Sequence, residues 1–198
     1  MQPLGLNESL LIWINQDWAN PVFDLFFTWI SMKAGFSFPL LLGITLYIGW
    51  RYGKIGWQFG LLLFVLAGLG DGLGSLLKDI FQQARPCLEY YDLIRAPFDG
   101  RTACNASTSG MPSNHALNFF SIFTFLCCFF PKPRVILASL SIASLVGLSR
   151  IYLGEHFPTQ VLAGSGFGVA LGVLFAGLIY KLLPNMRFHD APKLDHSH

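Results

Sequence analysis

The chain has 198 residues, of which 53% are hydrophobic and only 12% charged, with a formal net charge of +2. A soluble domain of this size carries roughly twice that charged fraction, so the composition points to one integral membrane domain. The small net charge and the absence of any basic run argue against nucleic-acid binding.

Residues 6–32 are apolar in pieces, broken by Asn15, Asp17, Asn20, Pro21 and Asp24. They read as one or two amphipathic helices lying in the membrane interface, with a sixth, poorly formed span as the alternative. Met1 to Asn7 lacks a basic n-region, so no cleavable signal peptide is expected. Five apolar runs follow, at roughly 36–50, 56–79, 114–130, 134–152 and 159–183, and all five read as membrane spans. The expected fold is therefore all-α, an integral membrane helical bundle of five clear spans. One domain would cover residues 1–184, with 1–34 interfacial and 185–198 a polar cytoplasmic tail.

Arg51 and Lys54, Lys132 and Arg134, and Lys181, Arg187 and Lys193 all fall on one side of this bundle. The positive-inside tendency makes that side cytoplasmic and puts Lys33, Arg95 and Arg101 outside. Cys87 and Cys104 share an outer loop, where a disulfide could form, whereas Cys127 and Cys128 lie within an apolar helix. Gly164, Gly168 and Gly172 recur at helical spacing and suit close helix packing. No Asp, Glu or His cluster has convincing metal spacing, and the tail histidines His189, His196 and His198 read as a flexible end.

Three short polar stretches interrupt the apolar pattern, each at the end of a span and all on the outer side. In the first, Lys78 and Arg85 are seven residues apart, close to two helical turns, and would share a face if the helix runs through to Pro86. Asp71, a further seven residues back, lies on the same stripe and would hold Lys78 or floor a polar pocket. In the second, Pro112-Ser113-Asn114-His115 opens an apolar helix, whose first N–H groups and dipole favour an anion. In the third, Ser149-Arg150 closes one span and His156 opens the next, with Gln160 four residues on and within reach of the ring. Guanidinium groups recognise phosphate oxygens in bidentate fashion, and imidazole is a competent nucleophile near neutral pH. Together these residues describe a site for moving a phosphoryl group on a lipid.

With these three blocks the chain resembles the type 2 phosphatidic acid phosphatase family, the membrane branch of a superfamily that includes bacterial acid phosphatases and vanadium haloperoxidases. The family signature is Lys, six residues, Arg-Pro; then Pro-Ser-Gly-His; then Ser-Arg, five residues, His, three residues, Asp. The first block is complete in Lys78, Arg85 and Pro86; Asn114 replaces Gly in the second, and Gln160 replaces Asp in the third. The resemblance implies a phosphohydrolase without metal or other cofactor. In it His156 would attack phosphorus, His115 would act as acid and then base, and Gln160 would orient His156. Lys78, Arg85, Ser113, Asn114 and Arg150 would bind the phosphoryl oxygens. The implied partner is a lipid phosphate in the bilayer, with polyprenyl (undecaprenyl) diphosphate the first expectation. Phosphatidylglycerophosphate, phosphatidic acid or lipid A phosphate, a phosphotransferase reaction, and an impaired lipid-phosphate binder are the alternatives. The implied location is a bacterial inner membrane, with the site facing the periplasm.

Overall fold

The computed structural model describes residues 4–95, 109–186 and 188. These residues form helices, with one isolated antiparallel bridge between Ala84 and Ser109. In chain order they are α1 (Leu6–Ile12), continued by a π-helical turn (Trp13–Asp17), and α2 (Pro21–Ser31). A second π-helical turn (Lys33–Ser37) leads into α3 (Phe38–Phe81), followed by α4 (Pro86–Glu89) and a 3-10 turn (Tyr91–Leu93). The last three helices are α5 (Asn114–Phe129), α6 (Pro133–Tyr152) and α7 (Pro158–Leu182). Lys33–Phe81, Pro133–Tyr152 and Pro158–Leu182 are long and apolar enough to cross a membrane.

α3 is two helices folded back on each other. Gly53 breaks it with φ 59° and ψ −136°, a backbone conformation that L side chains disfavour. The halves then touch: a Cβ added to Gly56 would lie 2.1 Å from the Ile48 carbonyl oxygen, and one added to Gly60 would lie 2.3 Å from Thr45 Cγ2. The expected segments 36–50 and 56–79 are the two arms of this hairpin.

α5 is the central helix, packed on α7, α6 and α3. Its 16 residues rise about 24 Å, less than the ~30 Å hydrocarbon core. Its Leu117, Phe119, Ser121, Phe125 and Leu126 are buried. Lipid instead meets the outer helices, where Leu137, Leu162 and Leu174 are exposed. The expected glycine stripe governs the tightest contact. Added Cβ atoms at Gly164, Gly168 and Gly172 would come within 2.4–2.5 Å of the carbonyl oxygens of Ser113, Leu117 and Ser121. This close approach lays the start of α7 beside the start of α5, and with it two of the three polar stretches.

α2 has 11 residues and rises only about 16 Å, too short to span the bilayer. Asn20 caps it, its Oδ1 accepting from Phe23 N at 2.9 Å, with Pro21 in the first turn. Leu11, Ile14, Phe27 and Ile30 pack the N-terminal helices onto Ile151, Tyr152, Leu153, Phe157 and Val161, around the α6–α7 connection. The polar residues that interrupt residues 6–32 make a clamp. Fully buried Asn15 donates to Tyr152 O at 2.7 Å and Arg95 O at 3.0 Å, and accepts from Arg95 N at 2.8 Å. The Arg95 guanidinium forks onto Asp24 at 3.0 and 2.6 Å, and Tyr152 Oη donates to the same carboxylate.

Met186 and Phe188 are buried, with the Phe188 ring 4.6 Å from Phe130 and 4.8 Å from Tyr52. Cys104, Arg101 and the tail histidines lie outside the described residues, so the Cys87–Cys104 pairing does too; Cys127 and Cys128 are free thiols.

Candidate active site

The third polar stretch is shaped by the α6–α7 connection. The backbone N–H groups of Glu155 and His156 both donate to the Arg150 carbonyl, at 3.0 and 3.2 Å, folding the loop back over the end of α6. Gly154, with φ 70°, makes that reversal possible. α7 then starts with Phe157 as its N-cap, Pro158 in the first turn and Gln160 at the third position. From there Gln160 Oε1 reaches back to accept the Phe157 N–H at 3.2 Å, half of a capping box. The same oxygen lies 3.2 Å from His156 Nδ1.

The Gln160 amide has a defined orientation. Its Nε2 donates to Ala84 O at 2.8 Å and to Gln83 Oε1 at 3.2 Å. Oε1 must therefore face His156, where it can only accept, so Nδ1 carries the proton and Nε2 keeps its lone pair. His156 is 2% exposed and Gln160 fully buried. Burial, then the nearby Arg150 and Arg85 guanidiniums, holds the His156 pKa well below the ordinary 6.5. The imidazole is neutral at pH 7.

The first stretch departs from its expected local form. α3 ends at Phe81, Gln82 takes the left-handed conformation with φ 47°, and Arg85 is extended at φ −92°, ψ 153°. Lys78 and Arg85 do not share one helix. The residue before a proline is pushed out of the helical region, and Pro86 fixes Arg85 in this way. The strand-like turn is held by Gly110 N donating to Gln83 O at 2.6 Å, and Arg85 Nε donates to Ser109 O at 3.4 Å. Arg85 Nη1 lies 3.7 Å from Glu155 Oε2. Asp71 does not hold Lys78 by direct contact. It pairs with Lys33 at 3.3 Å and accepts from Asn118 Nδ2 at 2.9 Å.

In the second stretch, Lys78 Nζ donates to Asn114 Oδ1 at 2.7 Å, so this Asn side chain holds the lysine. Ser113 N donates to Gln160 O at 3.0 Å, while Ser113 Oγ is buried with no partner among the described residues. The Met111–Pro112 peptide is cis. His115 Nε2 is 3.1 Å from Ser31 O, a carbonyl that only accepts, which leaves His115 Nδ1 free to exchange a proton. Arg150 Nη1 donates to Ser31 Oγ and its Nη2 to Glu155 Oε2, while its Nε is buried without a partner.

Hydrogen bonds and ion pairs join Ser113, Gln160, His156, Arg150, Glu155 and Arg85 and reach His115 through Ser31, and the Lys78–Asn114 pair adjoins them through the Ser113–Asn114 peptide. All eight positions named from the sequence lie in it or directly beside it. Ser31 was not legible as a member, because its partners Arg150 and His115 are 119 and 84 residues away. Glu155 was visible as an acid beside the histidine, but its two guanidinium partners were not. Glycines make room for both departures from the family signature. A Cβ at Gly74 would lie 2.5 Å from Asn114 Oδ1, and one at Gly110 would lie 2.5 Å from Gln160 Oε1.

Chemically, this arrangement offers a neutral imidazole with a bare nitrogen, a second imidazole, and three cations, all at one end of the bundle.

Residues 57–185 match the family model described as the PAP2 superfamily. The chain is 31% identical over 149 residues to a lipid A 1-phosphatase of Rhizobium johnstonii, covering 71% of this chain and 55% of that protein. It is 29% identical to phosphatidylglycerophosphatase B of Bacillus subtilis, over 85% of this chain and 79% of that one. Among solved structures, that of Aquifex aeolicus LpxE superposes with a TM-score of 0.67 at 26% identity, covering 89% of this chain and 98% of the other. The chain thus spans little more than half the length of the first of these relatives and nearly all of the last. A family match over 129 residues that includes all three polar stretches, on a shared helical membrane fold, settles the ancestry: this chain belongs to the PAP2 superfamily.

Proposed function

We propose that the chain is a membrane lipid phosphate phosphatase that works through a phosphohistidine and needs no metal. The observation that carries this reading is the Gln160 amide. Anchored on Ala84 O, it fixes the proton on His156 Nδ1 and bares Nε2 beside the Arg85 and Arg150 guanidiniums. His156 Nε2 attacks phosphorus as the bond to the leaving oxygen breaks, and His115, entering the step as the imidazolium, gives that oxygen its Nδ1 proton and becomes neutral. Water then attacks the phosphohistidine, His115 takes the water's proton, and phosphate leaves as His156 is restored. Lys78, Arg85, Arg150 and Ser113 Oγ hold the non-bridging oxygens, a fixed cationic cradle for charge that develops in the transition state. Asn114 serves this cradle through Lys78.

The site opens outward at the periplasmic face of a bacterial inner membrane, on the charge asymmetry of the connecting loops. The preferred substrate is a polyprenyl diphosphate. A cavity of about 250 Å³ beside His115 is walled by Leu41, Phe64, Phe119 and Ile122. It shares Leu40, Ile44 and Phe123 with a groove of about 1100 Å³ that continues between the first arm of α3 and α6 to Lys132 and Arg134. A path of that length suits one long apolar tail. Phosphate release by the purified protein from polyprenyl diphosphate, phosphatidylglycerophosphate, phosphatidic acid and lipid A tests both claims. Release is expected to survive a chelator and to vanish in His156→Ala. Chelator-sensitive release, or release that persists in His156→Ala, would overturn the mechanism; preference for a two-tailed substrate would overturn the choice of lipid.

A further inference from the structure

Glu155 places a carboxylate inside the cradle. Its Oε2 accepts from Arg150 Nη2 and lies 3.7 Å from Arg85 Nη1. These are the two guanidiniums assigned above to phosphoryl oxygens. We infer that Glu155 is an internal competitor for the cradle, whose displacement makes the site selective for a terminal phosphoryl group over the phosphodiesters of bulk phospholipid. The inference rests on the proposed phosphatase reading of the site.

The burial pattern says which partner moves. The Arg85 and Arg150 side chains are 9% and 7% exposed, whereas that of Glu155 is 18% exposed. Arg150 is further pinned by Ser31 Oγ on its other terminal nitrogen. Glu155 is the member with a path to water. The cradle also holds spare capacity that the carboxylate does not use. Arg150 Nε and Ser113 Oγ are both buried without partners among the described residues.

The selectivity follows from charge and oxygen count. A phosphodiester headgroup offers two non-bridging oxygens sharing one negative charge, about what the Glu155 carboxylate already gives. Exchanging one for the other gains little. A terminal phosphoryl group has three non-bridging oxygens and nearly two charges at pH 7, its second ionisation lying near 6. It can replace the carboxylate and still reach Lys78 and Ser113 Oγ. A membrane enzyme surrounded by phosphodiester lipids at high local concentration needs such a threshold.

The test is Glu155→Gln, which keeps shape and removes the charge. Turnover of a lipid phosphate is measured in neutral detergent, with orthovanadate or inorganic phosphate as inhibitor, and with phosphatidylglycerol or uncharged diacylglycerol added to the micelles. The variant is expected to bind orthovanadate and phosphate about 10–100-fold more tightly, the scale of one charged hydrogen bond no longer to be displaced. It should also show a lower KM and become inhibited by phosphatidylglycerol but not by diacylglycerol, while the wild type tolerates both. Weaker or unchanged anion inhibition in Glu155→Gln would overturn the inference and make Glu155 a holder of the arginines. Wild-type phosphate release that does not depend on His156 would instead sink the underlying reading of the site, and this inference with it.

Discussion

Gln160 is where the chain departs furthest from its family, and substituting it gives the sharpest test. Gln160→Asp restores the family residue with a side chain one methylene shorter. The carboxylate can still accept from His156 Nδ1 and from Phe157 N, both now 3.2 Å from Oε1. It cannot replace the Nε2 donor that serves Ala84 O at 2.8 Å and Gln83 Oε1 at 3.2 Å. Leaving these part-buried acceptors without their donor costs about 1–3 kcal/mol at most. In a protein of this size each kcal/mol lowers the melting point by roughly 2–4 °C. Gln160→Asp should therefore keep or raise turnover while melting several degrees lower. Gln160→Ala loses the tautomer lock as well, and its turnover should fall toward the ~10⁴-fold loss seen when a histidine's orienting partner in a serine protease enforces the wrong tautomer. Phosphate release and thermal unfolding in detergent read both quantities. A well-folded Gln160→Ala variant of wild-type activity would refute the orienting role, and a folded but inactive Gln160→Asp would refute the view that any acceptor at this position suffices.

The depressed pKa of His156 sets a pH expectation, since protonation would remove the lone pair of the proposed nucleophile and its pKa is below 6.5. As pH falls through 6, the acid limb of log kcat/KM should have slope 1, from the substrate's own second ionisation; slope 2 near 6.5 would show an ordinary histidine. Asn15→Ala removes a fully buried side chain that ties Tyr152 O to the backbone of Arg95, and should destabilise the protein by about 2–4 kcal/mol. An unchanged melting point would mean that the N-terminal clamp is not a structural element. Gly168→Leu forces a side chain against Leu117 O, 2.4 Å from the built Cβ, and should cost about 1–3 kcal/mol along with activity. Gly166→Ala, with nothing within 4 Å, should be neutral in the same melting assay; equal losses in the two variants would contradict the close α5–α7 contact.

The apolar helical segments, the glycine stripe and the grouping of the three polar blocks were legible because each rests on local spacing: apolar run length, a four-residue repeat, three short motifs. The N-terminal contribution was not. Asn15, Asp24 and Ser31 find their partners 71 to 137 residues away, and a sequence shows only that such polar groups need partners, never which. The reading of residues 6–32 as interfacial helices explained their amphipathicity but missed that they carry a serine to both Arg150 and His115. The assumption that one helix carries Lys78 and Arg85 failed for a local reason. In the sequence Pro86 marks a helix end at its own position, whereas its steric demand on Arg85 acts one residue earlier and α3 stops already at Phe81.

The two unusual residues of the signature make sense as parts of one charge arrangement. An aspartate behind His156 would stabilise positive charge on the ring. Here the ring is fully enclosed beside two guanidiniums, and Glu155 already supplies a negative charge to both of them. A second carboxylate there would add to a charge balance that Glu155 already supplies, so a neutral side chain is tolerated at this position and an aspartate is compatible with turnover. A glutamine keeps the directional half of the aspartate's task, the hydrogen bond that bares Nε2, and omits the charge. Its longer arm fits because residue 110 is glycine, just as Asn114 fits because residue 74 is glycine. Each departure thus comes with the space that accommodates it, a pattern better suited to a working site than to a decayed one, where the polar contacts of Gln160 and Asn114 would have no reason to be completed.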